Sequence, residues 1–268
     1  AAFHSVSAFN NAGFALFSDS LVGYRTDAVL LVVVALAVIV GGLGYPVWRQ
    51  LAAAPRRPRS WDLHTKVTVL TTAGLLASGS LLFTWFEWST PRTIGPLPIG
   101  HSVVNGFFQS AVARTAGFAS VDVGGLEDTS HLLGMILMFI GGGSGSTAGG
   151  IKVTTFALLG WIMWAEVRGE REVNVFRRRV PTDVQRQAVT VALMAVGGAV
   201  VVSMLLLALT RFPLADVVFE SVSALGTVGL STGITPGLSA PAQVVVTVAM
   251  LAGRVGPPTL FAALVLRD

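Results

Sequence analysis

The sequence predicts an all-α integral membrane protein assembled from repeated helix–pore loop–helix units. Three observations predict it. The 268 residues are 53% hydrophobic and only 12% charged, with a mean hydropathy of +0.71; this is a membrane composition. A phrase of twelve residues occurs three times, as FHSVSAFNNAGF at 3–14, FFQSAVARTAGF at 107–118 and FESVSALGTVGL at 219–230. The copies align without gaps, so that Phe3, Phe107 and Phe219 stand ten residues before Gly13, Gly117 and Gly229. Long apolar stretches surround these phrases, and a short segment ending in Gly between membrane helices has the layout of a re-entrant pore loop.

The glycines lie 104 and then 112 residues apart, too far for a solenoid repeat and about right for a whole supersecondary unit. The absence of Cys excludes disulfides, thiolate metal sites and Cys nucleophiles. Four scattered His without HExxH-like spacing argue against a zinc site. The net charge of +4 is confined to particular loops and does not point to nucleic acid.

Taken in order, 28–48 is apolar and long enough to span a bilayer, and 67–86 is a second span. Residues 131–142 and 151–165 are apolar halves on either side of the run GGGSGSTAGG at 141–150. Spans at 188–209 and 242–266 follow. The phrases at 1–14, 101–118 and 214–230 are too short to cross. The chain therefore divides into an incomplete unit at 1–50, a linker at 51–66, a complete unit at 67–167, a linker at 168–187 and a complete unit at 188–268. Because it opens inside the first phrase, without Met and without an incoming helix, an N-terminal part is expected upstream, unless the gene product itself is truncated.

Lys and Arg set the orientation. Arg49, Arg56, Arg57, Arg59 and Lys66 lie within 49–66, in and just before one linker, and Arg168, Arg171, Arg177, Arg178, Arg179 and Arg186 lie in the other. The opposite loops carry only Arg25, Arg92 and Arg211, along with seven acids. Both linkers and the C-terminus are thus expected in the cytoplasm, with all three glycine phrases opening to the outside.

A cation must shed most of its water to cross a narrow pore selectively, and backbone carbonyls can replace that water. Glycine adopts the required backbone angles at the lowest cost. The candidate filter is therefore Asn11, Ala12 and Gly13, then Thr115, Ala116 and Gly117, then Thr227, Val228 and Gly229. A helix-packing glycine would explain one copy; three gap-free copies favour the filter. The candidate gate is Gly141, Gly142, Gly143, Ser144, Gly145, Ser146, Thr147, Ala148, Gly149 and Gly150, whose six glycines disfavour a helix. Non-helical backbone at that depth must be buried in protein or line a wet cavity. Arg254 lies midway along the apolar stretch 242–266, where a charge needs a protein or water partner. The run GGLG at 41–44 begins 28 residues past Gly13, Gly145 stands 28 past Gly117 and Arg254 stands 25 past Gly229, which predicts that Arg254 donates to several carbonyls of the 141–150 loop. The same run fails as a phosphate loop, since Lys152 comes one place late and no strand precedes it. Arg114 and Glu220, inside pore phrases, either pair with each other or brace the filter; His4 reads as a packing residue. An intramembrane enzyme is disfavoured, because no Ser lies near a credible base. A non-transporting scaffold or receptor is a further alternative.

These stretches resemble the Trk/Ktr/HKT potassium transporter superfamily, most nearly its bacterial Ktr-type, TrkH-like pore subunits. The resemblance rests on SAFNNAGF at 7–14, GGLGYPVW at 41–48, RTAGF at 114–118, GGGSGSTAGGIKVTT at 141–155, GTVGLSTG at 226–233 and GRVGPPTL at 253–260. It implies four units around one pseudo-fourfold pore, with Gly13, Gly117 and Gly229 as three of four filter glycines. It also implies that 141–150 is the intramembrane gating loop and that Arg254 faces it. The implied activity is potassium uptake across the cell membrane, with potassium at the filter residues and no further cofactor. The implied partners are the lipid bilayer, a second copy in a homodimer and a cytoplasmic nucleotide-binding regulatory ring. A sodium-permeable or sodium-coupled transporter, or a truncated non-transporting protein, is the alternative.

Overall fold

The structure, a computed structural model, describes residues 2–256 apart from Arg171 and Arg177. The cytoplasmic assignment of those two arginines and of the C-terminus, and the 257–266 part of the last predicted span, lie outside the described residues. Helix α1 (Ala2–Phe9) leads through a loop to α2 (Ala28–Leu43) and α3 (Tyr45–Ala53). The second unit comprises α4 (Leu63–Phe86), α5 (Ile99–Val112), α6 (Asp128–Phe139) and α7 (Val153–Val167). The third comprises α8 (Thr182–Leu209), α9 (Leu214–Gly226) and α10 (Ala240–Val255). By length and composition α4 and α8 can cross a membrane, as can α2 and α3 if the bent pair is one span.

Local chemistry sets the helix starts. Asp27 and Asp62 cap α2 and α4, each accepting from a backbone N–H three residues on, Leu30 at 3.0 Å and Thr65 at 2.7 Å. Pro98, Pro181 and Pro213 precede α5, α8 and α9. The short helices α1, α5 and α9 are the three pore phrases. In its own unit α1 packs on α2, α5 on α4, and α9 on α8 and α10, and the outgoing helix of one unit also packs on the pore helix of the next, α2 on α5 and α6 on α9. Buried Leu31, Val38, Phe108 and Phe118 fill the first of these junctions, and Leu137, Met138, Phe219 and Val222 the second. Ser110 on α5 donates to the Leu76 carbonyl of α4 at 3.2 Å, and Asn105 to the Arg25 carbonyl at 2.8 Å. The pore helices are thereby locked into the bundle by both packing and hydrogen bonds.

Three features depart from the sequence reading. The apolar stretch 28–48 is not one helix, because α2 and α3 meet at a bend of 96°. Gly44 makes the corner with φ +90, and a Cβ there would lie 2.6 Å from the Ser144 carbonyl oxygen. The Trp48 indole N–H closes the bend on the Val40 carbonyl at 2.7 Å. The second basic linker is not plain coil: β1 (Asn174–Val175) and β2 (Arg178–Arg179) form a small antiparallel hairpin, and α8 begins at Thr182. Val173, Val175 and Val180 of this segment pack on Val67 of α4 and Ala165 of α7, so both basic linkers sit at the same end of the bundle. Finally, the described helix α10 ends at Val255, with Gly256 at φ +85, so Arg254 lies in its last turn, and the rest of the predicted span is outside the described residues.

The bend yields a paired prediction. Gly44→Ala should lower the thermal unfolding midpoint of the full-length protein in detergent, by an amount equivalent to about 2–4 kcal/mol, because left-handed strain and overpacking add. Gly74→Ala on α4, where a Cβ meets nothing within 4 Å, should leave the midpoint unchanged or raise it slightly, by about 1 kcal/mol at most. Equal midpoints for wild type and Gly44→Ala would mean that the corner does not need glycine.

Candidate ion pathway: filter loops and intramembrane loop

Each pore helix ends into a loop with the same backbone. Asn11, Thr115 and Thr227 are left-handed, at φ 50, 69 and 52, and Gly13, Gly117 and Gly229 are left-handed again, at φ 72, 76 and 91. The residues between them, Ala12, Ala116 and Val228, are not, so φ changes sign at each step. Positive φ at a β-branched residue is a genuine outlier, and such strain clusters at ligand clamps and functional sites. Local hydrogen bonds hold it. The Ala12 and Val228 N–H groups return to the Ser7 and Ser223 carbonyls, both at 2.9 Å, and Ala116 to Val112 at 3.0 Å. The negative ends of the three pore-helix dipoles therefore point at these loops, an arrangement that favours a cation.

The three loops stand side by side. A Cβ on Gly13 would run into the Ala116 carbonyl oxygen and lie 3.0 Å from Gly117 Cα; one on Gly117 would run into the Val228 carbonyl oxygen and lie 3.3 Å from Gly229 Cα. Only backbone fits at these junctions. Ala116 and Val228 are buried, and Ala12 is exposed. The Thr115 and Thr227 hydroxyls are buried without a hydrogen-bond partner among the described residues. Unpartnered oxygens beside stacked carbonyls suit a partly dehydrated cation.

Residues 141–150 run between the α2–α3 bend and the end of α9. Ile140 and Ile151 form a parallel bridge at the neck of the loop. The Gly143 N–H donates to the Gly42 carbonyl at 2.8 Å, the Tyr45 N–H to Gly145 at 3.3 Å, and the Thr147 hydroxyl to Phe9 at 3.2 Å. On the other side a Cβ at Gly149 would strike the Thr227 hydroxyl and lie 2.8 Å from the Gly226 carbonyl. The glycines allow this contact as well as disfavouring a helix. Arg254 Nη1 donates to the Thr147 carbonyl at 2.6 Å, a single loop carbonyl rather than several.

Lys152 belongs here too. Its ammonium donates to the next carbonyl, Ala148, at 2.7 Å. Sequence reasoning considered this lysine only as a phosphate ligand and then set it aside; its place directly after the glycine run was the available signal. Arg114 and Glu220 do not pair with each other. Arg114 Nη2 stands 3.4 Å from both the Thr72 hydroxyl and the Gly141 carbonyl, whereas Glu220 accepts from Thr235 on the far side of its own filter loop. His4 meets Phe3 edge-on and stacks on Phe17, and also accepts from the Leu16 N–H at 3.3 Å.

The family model described as TrkH, cation transport protein, matches residues 1–267. The Ktr system potassium uptake protein B of Vibrio alginolyticus is 43% identical over 97% of this chain and 57% of its own length. The protein of the same name from Bacillus subtilis is 38% identical over 96% of this chain and 58% of its own. The potassium/sodium uptake protein NtpJ of Enterococcus hirae is 37% identical, over 99% and 59% respectively. The chain thus spans somewhat over half the length of these relatives. The crystal structure of the potassium transporter TrkH from Vibrio parahaemolyticus superposes with a TM-score of 0.80 at 20% identity, over 99% of this chain and 57% of that one.

Proposed function

Because the chain belongs to the TrkH cation transport protein family, we propose that it forms the larger part of a potassium-translocating subunit of the cell membrane. The observation that carries this reading is the side-by-side placement of three loops with one backbone conformation, at Gly13, Gly117 and Gly229. In the whole protein, a fourth such loop from outside this chain completes a pseudo-fourfold filter. A potassium ion arriving from outside exchanges water for the carbonyls of Asn11, Ala12, Gly13 and their equivalents, steadied by three pore-helix C-termini. It then meets the 141–150 loop. The loop obstructs the path, and Arg254 on Thr147 holds it while opposing the cation electrostatically. No covalent chemistry is needed, and the ion moves inward down its electrochemical gradient.

Potassium is preferred over sodium as cargo because the relatives from Vibrio and Bacillus carry potassium alone in their names; the sodium reading draws on NtpJ. The basic end of the bundle, with Arg49, Arg56, Arg57, Arg59 and the 168–186 segment, is the cytoplasmic face on this reading. It would receive a nucleotide-binding regulatory ring, and a second copy would complete a homodimer.

Two experiments on the full-length protein test this. Gly117→Ser should lower potassium-over-sodium discrimination about tenfold, the effect of roughly 1.4 kcal/mol in relative ion binding. Growth of a transport-deficient strain on limiting potassium, with and without competing sodium, reads it; unchanged discrimination removes Gly117 from the filter. Arg254→Ala should raise basal flux per folded protein in liposomes, and Arg254→Lys should restore closure only in part, since Lys lacks the planar fork. A fall in that normalised flux for Arg254→Ala would show a packing residue instead of a gate.

A further inference from the structure

The second position of the repeated phrase has no part in the pathway just described. It holds His4, Phe108 and Glu220 in the three copies. In two of them a polar side chain reaches forward from the pore helix to the segment leaving the filter. His4 accepts from the Leu16 N–H at 3.3 Å, three residues past Gly13. Glu220 Oε1 accepts from the Thr235 hydroxyl at 2.5 Å, six residues past Gly229. The Thr235 hydroxyl is 2.8 Å from that of Ser231, which accepts from the Gly233 N–H at 3.0 Å. Phe108 is fully buried and has no polar atom to offer. The segment after Gly117 is tied from the preceding unit instead: the Leu21 N–H donates to the Ala119 carbonyl at 2.9 Å, and the Ala119 N–H to the Ser20 hydroxyl at 3.1 Å.

Among the described residues the three filter loops meet different neighbours. Gly13 and Gly117 are wedged against the carbonyl of the next loop, whereas the nearest described atom to a Cβ on Gly229 is Gly117 Cα at 3.9 Å. Glu220 is 5% exposed, no Lys or Arg forms an ion pair with it among the described residues, and its Oε2 has no hydrogen-bond partner there. Burying a carboxylate so poorly paired is costly, and the hydrogen bonds it makes must offset that cost.

We propose that Glu220 is a positioning residue for ion selection. By anchoring Thr235 and Ser231 it fixes the course of residues 230–235, and so the orientation of the Val228 and Gly229 peptides that face the ion. The proposal rests on the filter reading above. It concerns a hydrogen bond, not a charge, and the two are separable. Glu220→Gln keeps an acceptor oxygen for Thr235 without the charge; Glu220→Ala removes the acceptor, and the near-isosteric Thr235→Val removes the donor.

Potassium and sodium fluxes are measured with full-length protein in liposomes, on material that elutes from size exclusion as wild type does. Glu220→Ala and Thr235→Val should each lower potassium-over-sodium discrimination roughly tenfold, the scale of a lost hydrogen bond to a charged group. Glu220→Gln should stay within about twofold of wild type. Where Glu220→Ala does not fold, Thr235→Val carries the test. If Gln loses as much discrimination as Ala, the charge is what acts and the proposal is overturned. If Glu220→Ala and Thr235→Val both keep wild-type discrimination while Gly117→Ser loses it, the brace falls and the filter stands. If Gly117→Ser keeps it as well, both fall.

Discussion

The architecture depends on backbone meeting backbone with no side chain between. The Ala116 carbonyl abuts Gly13, and the Val228 carbonyl abuts Gly117. The same contact recurs deeper in the bundle, where a Cβ on Gly41 would strike the Phe9 carbonyl and one on Gly253 the Leu225 carbonyl. Close approach of this kind is how helices associate in lipid, where no hydrophobic drive separates protein from solvent. Here it does a second job, bringing carbonyl dipoles from separate units within reach of one another. On the proposed reading, packing and ion coordination use the same atoms, and loosening one loosens the other.

A membrane interior makes cations expensive, and among the described residues the cations beside the 141–150 loop are satisfied without carboxylates. Arg114, Lys152 and Arg254 all turn to oxygens of the 141–150 loop or its surroundings. The ion pairs among the described residues, Arg92–Asp122 at 3.5 Å and Arg179–Glu172 at 2.8 Å, lie in exposed connections. A carbonyl neutralises less charge than a carboxylate does, so net positive charge stays beside the loop. Adjacent carbonyls at Thr147 and Ala148 each carry one cation, which binds the loop firmly without cancelling its field. An arrangement held by one or two hydrogen bonds per cation also has a modest energy to overcome when it rearranges.

Internal repetition produced equal loops from unequal supports. The three filter tripeptides share signs of φ at each step, yet His4, Ser20 and Glu220 tie off the segments beyond them by different chemistry. The outgoing helices diverge as well: the first bends at Gly44, the second opens into the 141–150 loop, and the third ends at Val255 with Gly256 as its cap. What the copies hold in common is the backbone conformation of the tripeptide itself.

The sequence by itself determined the membrane class, the positions of the three pore helices and the alignment of Gly13, Gly117 and Gly229, because hydropathy, segment length and gap-free repetition are local properties of the chain. It also marked 141–150 as non-helical through six glycines in ten residues. Only the tertiary structure decided where Arg114 and Glu220 point, which carbonyl Arg254 meets, that Lys152 joins it, and that 28–48 breaks at Gly44. Each of these depends on what stands across from the residue in space. An apolar stretch reads the same whether or not a loop more than ninety residues later needs its corner, and a buried charge reveals its partner only when the chain has brought the two together.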